Sequence, residues 1–139
     1  MIRFYEYRKE GLDALSLRTN DVHCIHIDSS GERWFGTFGG GLNRLSSGFK
    51  LGQKPEFQAY SQKDGLPSDI ILSIQEDLQG SFWLFSENSI SRFDYKTGNL
   101  DIYNKNYGLD PVTFSESSSC LLSNGDICAG TMNGFYSYN

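Results

Sequence analysis

Apolar residues in this chain fall in short runs, each closed by a cluster rich in Gly, Asn, Asp or Ser. Nothing reads as a long amphipathic helix, so the pattern predicts strands. One set is Val22-His23-Cys24-Ile25-His26-Ile27, Arg33-Trp34-Phe35-Gly36-Thr37, Leu42-Asn43-Arg44-Leu45 and Phe57-Gln58-Ala59-Tyr60. A second set is Ile70 to Gln75, Phe82 to Phe85, Ile90 to Phe93 and Leu100 to Tyr103. A third runs from Glu116 to Leu121, from Ile127 to Gly130 and from Phe135 to Tyr138. Phe4-Tyr5-Glu6-Tyr7 reads as one more strand ahead of all of them. Successive strand side chains point to opposite faces. Trp34 lies beside Phe35 and Trp83 beside Leu84, so these sheets are apolar on both faces and need cover on both.

The turns repeat along with the strands. Asp28-Ser29-Ser30-Gly31 feeds the Trp34 strand, Asp77-Leu78-Gln79-Gly80 feeds the Trp83 strand, and Ser123-Asn124-Gly125 feeds the strand of Cys128. In the first two turns the Asp side chain caps the turn and the Gly ends it, which predicts positive φ at Gly31 and Gly80. A second marker recurs out of phase as Gly11-Leu12, Gly65-Leu66 and Gly108-Leu109. Two markers repeating together over a few tens of residues indicate a repeat architecture. Radial stacking of small meanders covers both faces of each sheet, whereas a two-sheet sandwich gives no reason for the repeated turn and tryptophan. The expected fold is therefore all-β, a β-propeller fragment of about three four-stranded antiparallel blades. Residues 1–8 supply the last strand of a preceding blade. Residues 20–60 and 69–103 are full blades, and 112–139 is an incomplete one.

Composition narrows the partners. A net charge of −5 with 21% charged residues argues against a phosphate-backbone binder, so no nucleic acid is expected. No apolar run approaches a membrane span, and no signal peptide is visible, so a membrane is expected only through a larger parent protein. The three cysteines, Cys24, Cys120 and Cys128, are not a disulfide framework. If the last turn is the three-residue loop Ser123-Asn124-Gly125, Cys120 and Cys128 lie directly opposite. If Asn124-Gly125 is a two-residue loop, they lie on opposite faces. Free buried thiols are the expectation.

The pattern Gly-x-x-Trp-Phe-Gly-Thr-x-Gly-Gly-Gly-Leu-x-Arg over Gly31 to Arg44 resembles the two-component regulator propeller repeat. So does Asp64-Gly65-Leu66-Pro67-Ser68 ahead of the second unit's Asp77-x-x-Gly80 turn. The second unit departs at Phe85-Ser86 and Ser89-Ile90. The third departs at Cys128, in the tryptophan position, and at Asn124-Gly125. The resemblance implies part of a seven-bladed periplasmic sensor of hybrid two-component systems, as found in gut Bacteroidetes. There the propeller is followed by a Y-shaped immunoglobulin-like domain, a membrane span, a histidine kinase core and often a DNA-binding response regulator. Such proteins sense breakdown products of complex polysaccharides.

Individual residues add little independent chemistry. Trp34 and Trp83 occupy one repeat position in apolar strands and are expected to pack between blades rather than stack on sugars. Asp28 and Asp77 are equivalent turn caps, not a hydrolase pair. His23 and His26 are three apart on a strand and point to opposite faces, so no metal site is expected from them. Gly39-Gly40-Gly41 lacks the Lys and helix of a phosphate loop and reads as a strand reversal. Ser115 to Ser119 has no adjacent base. Propeller ligands often bind where loops enter the inner strands. Those loops carry Arg18, Asn20, Lys63, Asp64, Ser68, Asp69, Asn106 and Asp110, the candidate ligand-binding set.

The expectation is a non-catalytic sensor segment that needs no cofactor and takes an oligosaccharide ligand. A propeller lyase or glycosidase and a protein-interaction scaffold are the rival readings. The open terminal blades also predict self-association. The Phe4 to Tyr7 strand of one copy would supply the missing strand of another, and two copies would close a six-bladed dimer.

Overall fold

The computed structural model describes residues 1–139 and contains eleven strands in three antiparallel sheets. The first sheet is β1 (Val22–Ile27), β2 (Arg33–Thr37), β3 (Leu42–Leu45) and β4 (Phe57–Tyr60). The second is β5 (Ser73–Glu76), β6 (Phe82–Phe85), β7 (Ile90–Asp94) and β8 (Asn99–Tyr103). The third is β9 (Phe114–Leu121), β10 (Ile127–Thr131) and β11 (Gly134–Tyr138). In each sheet, strands pair in sequence order. The first strands β1, β5 and β9 lie against one another. That is the radial arrangement of a propeller, with the third blade carrying three strands.

Blade-to-blade packing follows from sheets apolar on both faces. Cys24, Trp34 and Leu42 of the first blade interlock with Ile74, Phe82, Leu84 and Phe93 of the second. Phe85 and Ile90 on the second blade's other face meet Phe114, Ile127 and Ala129 of the third. Leu66 and Leu109, from the repeated Gly-Leu marker, are buried in these two seams. Each Gly-Leu follows a short 3-10 turn, Gln62–Asp64 or Lys105–Tyr107, whose terminating glycine is left-handed. A satellite cluster of Leu17, Leu45 and Phe57 lies on the first blade's outer face.

The repeated turns are superimposable in their bonding. Asp28 Oδ1 accepts from the Ser30 and Glu32 amides, each at 2.9 Å, and Asp77 Oδ1 accepts from the Gln79 and Ser81 amides at 2.9 and 3.0 Å. Gly31 and Gly80 have φ of 86° and 84°, the left-handed conformation that a Cβ disfavours. In the third blade the Leu122 amide donates to the Asp126 carbonyl, so the loop is the three-residue Ser123-Asn124-Gly125. Cys120 and Cys128 are therefore directly opposed, as free thiols, and Cys24 is the buried one.

Two expectations need correction. Phe4 to Tyr7 is not a strand, because no strand of this chain pairs with it; instead Tyr7 packs edge-on to Phe49, and its hydroxyl accepts from the Gly52 amide. The second blade's first strand begins at Ser73 rather than Ile70, since Ile70 is held by an isolated bridge to Phe38 and Ile71 donates to the Thr37 carbonyl. Both tryptophans pack between blades as expected, Trp34 fully buried in the first seam and Trp83 half-buried against the second.

Candidate functional site

The inner strands converge on a polar mouth at one end of the β1–β9 seam. His23, near the start of β1, has its Nε2 3.1 Å from Asp21 Oδ1 and its Nδ1 3.2 Å from Glu116 Oε1 of the third blade. Neither approach has hydrogen-bond alignment, so the two carboxylates flank the ring at close range. The imidazole is mostly covered, whereas the Asp21 and Glu116 side chains are 62% and 61% exposed. The Phe38 ring lies 5.3 Å from the imidazole, tilted by 32°, and is itself 44% exposed. One aromatic face, one imidazole and two open carboxylates thus share a single rim.

Backbone bonds fix this rim. The Phe38 amide donates to the Asp21 carbonyl at 2.9 Å, tying the start of β1 to the end of β2. Ser117 Oγ donates to the His23 carbonyl at 3.0 Å, and the Ser117 amide donates to the Leu72 carbonyl. Ser117 adopts φ of 49°, a left-handed value that is costly for a residue with a side chain. Its two cross-blade bonds hold it there, within a β9 whose register on β10 shifts nearby.

The Gly39–Gly41 reversal forms the adjoining wall. The Gly39 and Gly41 amides donate to the Asp69 carbonyl at 3.0 and 2.8 Å. Fully buried Asn43 accepts from the Arg18 amide and donates to the Gly40 carbonyl. A Cβ on Gly40 would lie 2.7 Å from the Arg18 Cβ, so the close approach of the two loops requires glycine.

The eight residues expected from the loops are thereby sorted. Arg18 and Asp69 flank the mouth through these bonds. Asp69 Oδ1 also accepts from the Gln62 amide, which joins it to the 3-10 turn holding Lys63 and Asp64. There the Asp64 carboxylate accepts from the Ser61 amide and Ser61 Oγ accepts from the Lys63 amide, so these groups cap a turn. Ser68 Oγ accepts from the Ile70 amide. Asn20 Oδ1 accepts from the Lys9 amide. Asn106 and exposed Asp110 belong to the next connection, where the Asn106 amide donates to Asn104 Oδ1. Asp21, His23, Phe38, Glu116 and Ser117 were not in that set. Asp21 and His23 at i and i+2 on a strand start were a readable signal. Their meeting with Glu116, from another blade, was not. His26 lies apart, with Nε2 3.4 Å from Glu76 of the second blade.

Three meandering sheets stacked on their first strands define the chain as part of a β-propeller, of the kind found in extracellular sensor domains. Among solved structures it is similar to the extracellular domain of a protein named as the hybrid two-component system BT3049 of B. thetaiotaomicron, at 27% identity and a TM-score of 0.76. It also resembles the extracellular domain of BT4673 from the same organism, at 23% identity and a TM-score of 0.66, a likeness of fold. The first match covers 86% of this chain and 16% of the other; the second covers 91% and 16%. The chain thus spans about a sixth of the length of those domains. No family model and no curated protein matches it. No helix is long and apolar enough to cross a membrane.

Proposed function

We propose that this chain is a blade segment of a periplasmic sensor propeller in a hybrid two-component system, and that the mouth formed by Asp21, His23, Phe38 and Glu116 binds an oligosaccharide released from a polysaccharide. The observation that carries this reading is the exposed Phe38 ring beside two open carboxylates that flank one imidazole. An aromatic face packs against the apolar C–H face of a pyranose, and carboxylates accept from its hydroxyls. The segment acts without catalysis. A glycosidase needs a carboxylic acid kept protonated by an apolar setting, and both carboxylates here are open to water.

The signal arises from differential affinity. β1 and β9 belong to different blades and meet through Ser117 and His23. A ligand spanning Phe38 and Glu116 favours the blade arrangement in which both reach it, and a downstream histidine kinase reads that arrangement. Calorimetry against a panel of neutral oligosaccharides tests the reading. Binding without turnover is expected, together with at least tenfold weaker binding by Phe38→Ala and Glu116→Gln, consistent with about 1.4 kcal/mol or more per lost contact. Product formation, or unaltered binding by both variants, contradicts it.

A further inference from the structure

The inner-strand mouth differs from the rest of the chain in how its carboxylates are met. Elsewhere the chain supplies their partners itself. Glu32 faces Arg44, Asp77 faces Arg92 and Asp13 faces Lys54. Asp28 and Asp64 are taken up by turn amides. Asp21 and Glu116 have neither a lysine nor an arginine, only the two nitrogens of His23 at 3.1 and 3.2 Å. That imidazole is 12% exposed, and its Nδ1 is covered yet makes no hydrogen bond. Two carboxylates from different blades therefore stand open on either side of one largely covered ring.

The neighbouring groups deepen this negative field. Arg18 joins the adjoining wall through its amide and its Cβ, and its charge acts on Asp13. Exposed Glu87 holds the place of Phe38 one blade on, bridging to Thr113 as Phe38 bridges to Ile70. The exposed Phe38 ring suits the same sign of ligand, because an aromatic face carries negative charge density and attracts cations. The cavity of about 370 Å³ beside Trp83, Tyr103 and Tyr138 offers aromatic faces too, but no charged side chain lines it. Aromatic surface and unanswered carboxylates coincide at the mouth.

Building on the oligosaccharide reading, we infer that the mouth selects an amino sugar, a hexosamine bearing a free ammonium, over neutral and uronic sugars. The ammonium lies between the Asp21 and Glu116 carboxylates, and the C–H face of its pyranose lies on Phe38. The ammonium supplies the cation that the chain provides to its other carboxylates and withholds from these two, through charge-assisted hydrogen bonds. Each such contact is modest in an open setting, and two together give a preference of about tenfold over a matched neutral sugar. The neutral sugar keeps the Phe38 contact and its hydroxyl bonds and binds more weakly. A uronate meets like charge along the rim and is rejected.

Calorimetry at neutral pH with matched disaccharides tests this: cellobiose, the β-linked glucosamine disaccharide, its N-acetylated form and a glucuronate disaccharide. The glucosamine disaccharide should bind about tenfold more tightly than cellobiose. N-acetylation, which removes the charge, should remove the advantage, and added salt should shrink it. The glucuronate disaccharide should bind least. Asp21→Asn combined with Glu116→Gln, both at exposed positions, should abolish the preference for the amine, with thermal melts confirming the fold. Equal binding of the amine and cellobiose overturns the amino-sugar inference and leaves the oligosaccharide reading standing. A preference that persists in the double variant overturns the placement between these carboxylates. Failure of the glucosamine disaccharide to bind, where a neutral oligosaccharide does, overturns the inference as well. Failure of every sugar to bind overturns the reading on which it rests.

Discussion

The indole Nε1 of Trp34 donates to Asp28 Oδ2 at 3.0 Å, across six residues and one tight turn. The second blade repeats the link: Trp83 Nε1 donates to Asp77 Oδ2 at 2.9 Å. In each blade an arginine on the next strand, Arg44 or Arg92, lies over the indole face. One carboxylate thus ties the turn to the residue that plugs the blade seam. The third blade has neither partner; there Cys128 Sγ meets Ser137 Oγ at 3.4 Å, in the places of tryptophan and arginine.

Asp28 predicts a pH dependence. Burial by itself would raise its carboxyl, but hydrogen bonds from Ser30, Trp34 and the Glu32 amide outweigh that and hold it below the usual carboxylate range. A folded value below the unfolded one stabilises above the unfolded value and is lost as pH falls through the folded one. Asp28→Asn should cost about 1–3 kcal/mol at neutral pH, the range for hydrogen bonds to charged groups. The gap between wild type and variant should close as the pH falls below about 4. Urea melts across that range check the sign; a gap that widens in acid contradicts it.

The two tryptophans should differ. Trp34→Ala empties a sealed site and should cost about 3–5 kcal/mol, whereas Trp83→Ala, from a half-open one, should cost measurably less. Equal costs in urea melts would mean that the second seam is as closed as the first.

Gly31→Ala and Gly80→Ala should each cost about 1–2 kcal/mol, the penalty for a side chain in a left-handed turn. No atom lies within van der Waals reach of an added methyl at Gly31, so its cost is conformational rather than a clash. A neutral result at both positions, from thermal melts, would mean that the turns relax.

The thiols should separate by accessibility. Burial pushes the Cys24 thiol up to about 12, and its Sγ faces the Ile71 carbonyl. In native protein at mildly alkaline pH, a thiol-labelling reagent should modify exposed Cys120 and spare Cys24. Mass spectrometry of the labelled peptides reads the outcome, and rapid modification of Cys24 would mean that the first seam opens.

The strands and blade order were legible because turn chemistry and two-sided apolarity repeat within each unit. Asp28 and Asp77 were readable as caps, though not as partners of the indoles, since the link depends on how the strand leaves its turn. Phe4 to Tyr7 has strand composition, yet forms a strand only where a neighbour offers a ladder, which composition does not encode. The mouth was hidden for a related reason. His23 and Glu116 are far apart in sequence and meet only because β1 and β9 both lie innermost. The unusual backbone of Ser117 is invisible in a run of serines.

The measurement closest to the central claim is a nuclear magnetic resonance titration of the isotope-labelled chain with neutral oligosaccharides, read residue by residue. The account predicts saturable shifts concentrated at Asp21, His23, Phe38, Glu116 and Ser117, with the Trp83 cavity unaffected. Shifts centred on Trp83 and Tyr138, or none anywhere across the panel, would contradict a ligand site at the inner-strand mouth.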